Sequence, residues 1–190
     1  VNVQFDATDD LMLYGSYAKG TKAGGFDIRS NSLPTSTTVA KPGAFEFQDE
    51  SADNFEAGLK YKGPNVAFNL SLYRTTYKDL QVNIFDGTLN FNVRNAAGAR
   101  TQGVEADFRA ALADGLTVSG AVAYLDFKFT NFTDGQCYYL QTPAANGFCD
   151  YSGKRNALSP KWSGNLNVDY TTPVTSDMKV AFNVNADFSS

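Results

Sequence analysis

The chain has 190 residues, with 16 basic against 20 acidic side chains, a net charge of −4 and no histidine. That balance excludes the basic surface nucleic-acid binding requires, so no nucleic-acid partner is expected; lacking histidine, the chain also lacks the commonest general base and transition-metal ligand. No apolar run approaches the roughly 18 residues of a membrane helix. Aromatic residues at 14% and 16 glycines instead favour strands and turns.

The first element is VNVQF, followed by the polar turn ATDD and the strand LMLYGSYAKG. NFEAGLKY and NVAFNLSLYRTTY follow, joined through KGPN. GVEADFRAAL and LTVSGAVAYLDF flank the turn dipeptide Asp114-Gly115, and WSGNLNVDY and KVAFNVNADF flank TTPVTSDM. Period-two alternation thus identifies about eight strands, with no amphipathic helix between them. Val1 opens directly on alternation without a signal segment, and FNVNADFSS stops within it, so both ends are expected to be cuts in a longer chain.

Short turns near Asp9, Pro64, Asp114 and Pro173 alternate with the longer segments 21–49, 81–99 and 130–160. In an antiparallel sheet this places every short turn at one end and every long loop at the other, as in outer-membrane barrels and unlike Greek-key sandwiches. One parity carries Phe55, Ala57, Leu59 and Tyr61, then Val66, Phe68, Leu70 and Leu72, and continues through Leu116, Val118, Val122 and Tyr124 to Trp162, Leu166, Val168 and Tyr170. The other carries Glu56, Lys60, Asn69, Ser71, Ser119, Asn165, Asn167, Asp169, Asn183, Asn185 and Asp187. Lipid outside and a hydrated lumen inside explain both sets. The expected outward residues include Phe55, Leu59, Phe68, Leu70, Val104, Phe108, Leu166 and Phe182, on the convex side of a curved meander. Tyr61, Tyr124, Trp162 and Tyr170 fall at strand ends, where amphipathic rings meet the membrane interfaces. Arg74 alone breaks the apolar parity, two positions beyond Leu72 toward the long loops. A headgroup phosphate or simple exposure beyond the bilayer would each account for it.

LMLYGSYAKGTKAGGFD, ESADNFEAGLKYKG, LYRTTYKDLQV, NAAGARTQGVEADFRA and ALSPKWSGNLNVDY together resemble, in order, consecutive strands of TonB-dependent outer-membrane receptors. The resemblance covers nearly the whole chain. It implies an all-β, antiparallel, up-and-down transmembrane barrel of roughly 22 strands closed around a plug domain and energised by TonB. Residues 1–190 would then be a partial barrel domain in the bacterial outer membrane, with the plug, the TonB box and the remaining strands outside this stretch. The implied function is active uptake of a scarce nutrient, a ferric siderophore foremost, with cobalamin or a glycan as other ligands. Outer-membrane lipid, the plug and, through it, TonB are the expected partners. The rival readings are a complete small outer-membrane barrel acting as anchor or adhesin, and a soluble β-sandwich that binds carbohydrate.

Cys137 and Cys149 lie in the segment 130–160, which faces an oxidising compartment, and are expected to form a structural disulfide. Two cysteines without histidine or a second pair make no zinc motif, so neither metal nor cofactor is expected. Glu105 and Asp107 sit two apart on one strand with Arg109 next, which suits lumen hydration and cross-strand pairing better than acid–base catalysis. No catalytic residue is assigned. Gly24 and Gly25 lack the spacing and the following helix of a phosphate loop, and are expected to reverse the chain at the rim. Asn131-Phe132-Thr133 has the form of a glycosylation sequon, which carries no meaning in a bacterial chain. Phe85, Tyr138, Tyr139 and Phe148 are the candidate ligand contacts, with packing of loop on loop the competing account.

Overall fold

The structure is a computed structural model describing residues 1–27, 46–85, 91–145 and 147–190, those at 84–85, 91–92, 94 and 96–97 through their backbone alone. Ten strands account for nearly all its regular structure: β1 Asn2–Thr8, β2 Leu11–Lys22, β3 Gly25–Phe26, β4 Glu46–Phe47, β5 Glu50–Lys62, β6 Val66–Phe85, β7 Phe91–Ala113, β8 Leu116–Asn131, β9 Trp162–Pro173 and β10 Lys179–Ser189. Eight of them form one sheet in the order β1-β2-β5-β6-β7-β8-β9-β10, every neighbouring pair antiparallel, while β3 and β4 pair as a separate two-stranded ribbon. The sheet is an up-and-down wall, open between β1 and β10 among the described residues. From β2 onward its strands run 11 to 23 residues, beyond the five or six usual in soluble sheets and long enough for a tilted membrane span.

Turn chemistry sets the short-loop end. Gly115 adopts φ 75°, and an added Cβ there would meet the Thr171 carbonyl oxygen, so glycine is required where β7 reverses into β8. At the opposite end the structure departs from the alternation reading. Residues 81–85 and 91–99 are strand and not loop, because β6 and β7 continue as a paired extension from Leu80↔Ala97 to Phe85↔Phe91. The register shifts on both sides of Leu80, and Asp79 takes φ 55°. Each bulge offsets the side-chain parity by one, which hides the continuing strand from a period-two pattern. Gly24 and Gly25 likewise do not reverse the chain: Gly25 begins the ribbon strand β3, paired with Phe47.

No sandwich core exists among the described residues. Only Ala99 and Cys149 are buried hydrophobics, while Phe55 and Phe182 are 59% and 58% exposed. Residues of the apolar parity register across the wall in continuous rows, such as Leu13–Leu59–Leu70–Ala106–Val122 and Leu72–Val104–Tyr124–Trp162. Tyr124 and Trp162 close the second row with ring centroids 4.8 Å apart. An apolar face of this extent on a single-layer sheet needs a non-aqueous neighbour.

Candidate functional site

The lumen-side face is polar and tied together by cross-strand hydrogen bonds. The Tyr14 hydroxyl donates to Glu56 Oε1 at 2.6 Å, with the Lys60 ammonium 5.7 Å from the same ring. Asn69 donates to Asp107 at 2.9 Å, and Asn183 donates to Asn167 and Asp169 at 2.8 and 2.6 Å. Two tyrosines lie flat over glycines: an added Cβ would come within 2.7 Å of the Tyr14 ring at Gly58 and of the Tyr73 hydroxyl at Gly103. Glu56, Asp107 and Asp169 are each held in one of these hydrogen bonds. Glu105 and Asp107 register with Ser71 and Asn69 across β6, an arrangement of lumen-lining polar pairs. Among the described residues, no three His, Cys, Asp or Glu side chains gather as a metal site.

Toward the long-loop end the lumen side becomes enclosed. The ribbon β3–β4 is fastened to the β6–β7 hairpin by two amides. Gln81 Nε2 donates to the carbonyls of Ala23 and Gln48 at 3.1 and 3.0 Å, and Asn95 Nδ2 donates to those of Gln48 and Asp79, both at 2.8 Å. The Gln48 amide returns a 2.6 Å bond to Asn95 Oδ1. Asp49 accepts from the Gly24 amide at 2.6 Å, and the buried Asp27 accepts from that of Val93 at 2.9 Å. Side-chain amides thus satisfy backbone groups that the short ribbon leaves unpaired.

The second loop element is the segment between β8 and β9. Cys137 and Cys149 are bonded at 1.98 Å with Cα atoms 5.1 Å apart. Beside them Gly135 and Cys149 exchange backbone hydrogen bonds at 3.1 and 2.8 Å. The chain then returns along β8, with Tyr151 and Gly153 amides donating to Phe132 and Phe129 carbonyls, both at 2.7 Å. A column of rings supports this return: Phe127–Phe129, Phe129–Phe132 and Phe132–Tyr151 centroids lie 5.0, 4.9 and 5.7 Å apart. Val82, Phe129 and Phe132 pack on Ala99, which is fully buried. The Tyr151 hydroxyl donates to the Gln136 carbonyl at 2.6 Å, fixing the column to the disulfide. At the loop's base Ser152 holds the Asp150 carboxyl below the usual carboxylate range, through its hydroxyl and its 2.7 Å backbone N–H bond.

Of the four candidate contact residues, Tyr138 and Tyr139 stand exposed at 68% and 89%, with the exposed Leu140 beside them at φ 69°. Phe148 is half-buried next to Cys149, and the Phe85 side chain lies outside the described residues. The structure therefore brings Tyr138, Tyr139 and Phe148 into one disulfide-closed loop. Sequence reasoning passed over the ring column and the Gln81–Asn95 clasp. The column had a signal, since Phe127 and Phe129 continue the alternation of β8, with Asp126 before the first ring and Lys128 between the two. The clasp had none, because side-chain amides bridging two loops follow no period.

The family model of the TonB dependent receptor-like β-barrel matches residues 1–190. The pesticin receptors of Yersinia enterocolitica and Yersinia pestis are each 30% identical over 172 residues, covering 84% of this chain and 23% of theirs. The chain therefore spans about a quarter of the length of these curated relatives. Among solved structures, the ferric yersiniabactin uptake receptor FyuA from Yersinia pestis superposes with a TM-score of 0.71 at 22% identity, covering 99% of this chain and 25% of that one. The ferric preacinetobactin receptor BauA from Acinetobacter baumannii gives 0.66 at 19% identity, covering 100% and 25%. The rows of apolar side chains facing away from a polar lumen are thus the lipid-facing wall of an outer-membrane barrel, and the chain belongs to the TonB-dependent receptor family.

Proposed function

We propose that residues 1–190 form part of the wall and two of the mouth elements of an active transporter that takes up a ferric siderophore. In this reading a plug and further strands complete the barrel, and TonB drives passage by acting on the plug. The observation that carries it is the match of the whole chain to the family's barrel, in a stretch whose structural neighbours are described as ferric-siderophore receptors. The polar lumen wall, fixed by internal hydrogen bonds, suits a conduit for a hydrophilic chelate better than a catalytic cleft. Tyr138, Tyr139 and Phe148, held by the disulfide, would supply amphipathic rings for first contact at the mouth, with Phe85 on the neighbouring hairpin.

The rival readings have less support. A soluble carbohydrate-binding sandwich needs a second sheet over the apolar face, and the described residues supply none. A complete eight-stranded barrel serving as anchor or adhesin needs β1 to pair with β10, and the sheet is open there.

The test is radiolabelled-iron uptake by cells lacking the full-length protein, supplied in turn with catecholate, hydroxamate and phenolate ferric siderophores. Loss of uptake of one chelate, restored by the gene and abolished without TonB, is the expected result. Unchanged uptake of every ferric chelate, alongside lost uptake of cobalamin or of a glycan, would overturn the iron reading.

A further inference from the structure

The outward face of the wall changes chemistry near the long-loop end. Below that level its rows are apolar. Above them lie Tyr17–Phe55–Arg74–Gln102–Asp126 and then Lys19–Asp53–Thr76–Arg100–Lys128, with Lys78 registering beyond them against Ser51. Among the described strand residues, every Lys or Arg on the outward parity belongs to this zone, and none lies at the short-turn end. A membrane protein whose outward cations gather at one end distinguishes the headgroups of its two leaflets.

The two carboxylates of the zone already have partners. Asp53 accepts the Tyr17 hydroxyl at 2.7 Å, and Asp126 lies 3.8 Å from Arg100, 3.7 Å from Lys128 and 3.3 Å from the Gln102 amide. Lys19, Arg74 and Lys78 make no ion pair among the described residues, and Arg100 Nε has no hydrogen-bond partner there. Donors therefore outnumber acceptors. Thr76 sits at the centre: Arg74 and Lys78 flank it along β6, each about 7 Å away at strand spacing, and Arg100 lies across from it at about 5 Å. A surface groove lined by Tyr17, Asp53, Phe55, Thr76 and Lys78 runs from the apolar rows into this zone. Cations, a hydroxyl and two ring edges above a lipid-facing band match a phosphate on a sugar headgroup whose acyl chains lie along the wall.

We propose that Arg74, Lys78, Arg100 and Thr76 form a site for the phosphorylated headgroup of an outer-leaflet glycolipid. The forked guanidinium groups and the ammonium bind the phosphate oxygens, Thr76 donates its hydroxyl, and the Tyr17–Phe55 pair, with centroids 4.8 Å apart, packs against the headgroup sugar. The site lies on the outside of the barrel, so it anchors and orients the wall without touching the transported ligand.

The test uses the full-length receptor purified in mild detergent. Native mass spectrometry compares retention of bis-phosphorylated lipid A with that of its fully dephosphorylated form. The expected result is a preference of about tenfold for the phosphorylated lipid, the sum of several partly exposed charge contacts. The double variant Arg74→Gln/Lys78→Gln should remove most of it, because neither side chain has a structural partner to lose. Lys179→Gln, at the short-turn end, should leave it unchanged, and gel mobility with and without heating confirms that each variant is folded. Equal retention of the two lipids, or a preference that survives the double variant, would overturn the proposal. Displacement of the lipid by inorganic phosphate at equal concentration would also overturn it, by revealing a small-anion site in place of a lipid one.

Discussion

In the lower half of β8, Val118, Val122 and Tyr124 face outward while Ser119, Ala121 and Ala123 face the lumen. In the upper half Asp126 and Lys128 take the outward positions, and Phe127 and Phe129 turn inward onto Phe132 and Ala99. The pleat is unchanged, since Ala99↔Phe129 through Val104↔Tyr124 run without a register shift. What changes is the solvent on each side. At membrane level the outside is hydrocarbon and the inside is water. At loop level the outside is headgroup and water, while the inside is covered by the strand's own returning loop. One alternating segment therefore serves two opposite partitions, and the level at which they exchange marks the edge of the bilayer.

The sharpest way to break this comparison is to place the same charge on the outward face at both levels. Leu70→Arg, in the row with Leu59 and Ala106, should destabilise the folded barrel by about 2–4 kcal/mol, the penalty near a bilayer midplane. Gln102→Arg, outward beside Arg74, should cost no more than about 1 kcal/mol. Guanidinium unfolding in lipid vesicles measures both. Equal costs would mean that the polarity change does not coincide with the membrane boundary.

A second test concerns the loop that covers the upper lumen side. Removing the bridge by Cys137→Ser/Cys149→Ser frees a loop with a sequence separation of 12 and should weaken local order by about 3 kcal/mol in the chain-entropy account. The cleanest readout is tryptic cleavage after Lys154 or Arg155, which should accelerate while the barrel's own thermal transition stays in place. Unchanged cleavage would mean that the ring column alone holds the loop.

The third test removes that column's centre. Phe129→Ala deletes a ring that contacts Phe127, Phe132 and Ala99. Because the ring is only half-buried, the expected loss is about 2 kcal/mol of loop stability, below the full-core value for Phe→Ala. Ala123, inward on the same strand two turns of the pleat below Phe127, has no such role, and Ala123→Ser should be close to neutral.

The contrast between levels also explains what could be read beforehand. Strand existence, the antiparallel meander, the side carrying the long loops and the lipid-facing parity were all legible, because one uniform solvent on each face imposes a period of two over whole strands. The resemblance of five segments to receptor strands supplied the family. Above the membrane no uniform solvent exists, and legibility ends there. The bulges around Asp79 and Leu80 offset the pattern just as β6 leaves the bilayer, so a long hairpin looked like a loop. Phe127 and Phe129 fit a strand, but nothing local to them tells that a returning loop packs on their rings. Gln81 and Asn95 act through backbone carbonyls of another segment, which local sequence does not encode.

The smallest expected effect comes from the base of the covering loop. Asp150 accepts the Ser152 amide and hydroxyl, and Ser152 Oγ in turn accepts the Phe132 amide at 2.9 Å, so the carboxylate is linked to the first ring of the return. The Ser152 bonds and the nearby Lys154 charge favour the ionised form and hold the carboxyl below its ordinary value of 3.8. A group with a depressed folded-state value contributes stability that is fully present above the unfolded value and is lost as pH falls through the folded one. Acidification from neutrality should therefore leave the loop unchanged down to about pH 4 and loosen it below that. Amide exchange at Phe132 and Ser152, corrected for the intrinsic pH dependence of exchange, should show protection falling in that window. The same amides in Asp150→Asn should show protection that is lower at neutral pH and flat across the acid range. Protection that falls identically in both proteins would assign the acid response to another carboxylate of the mouth.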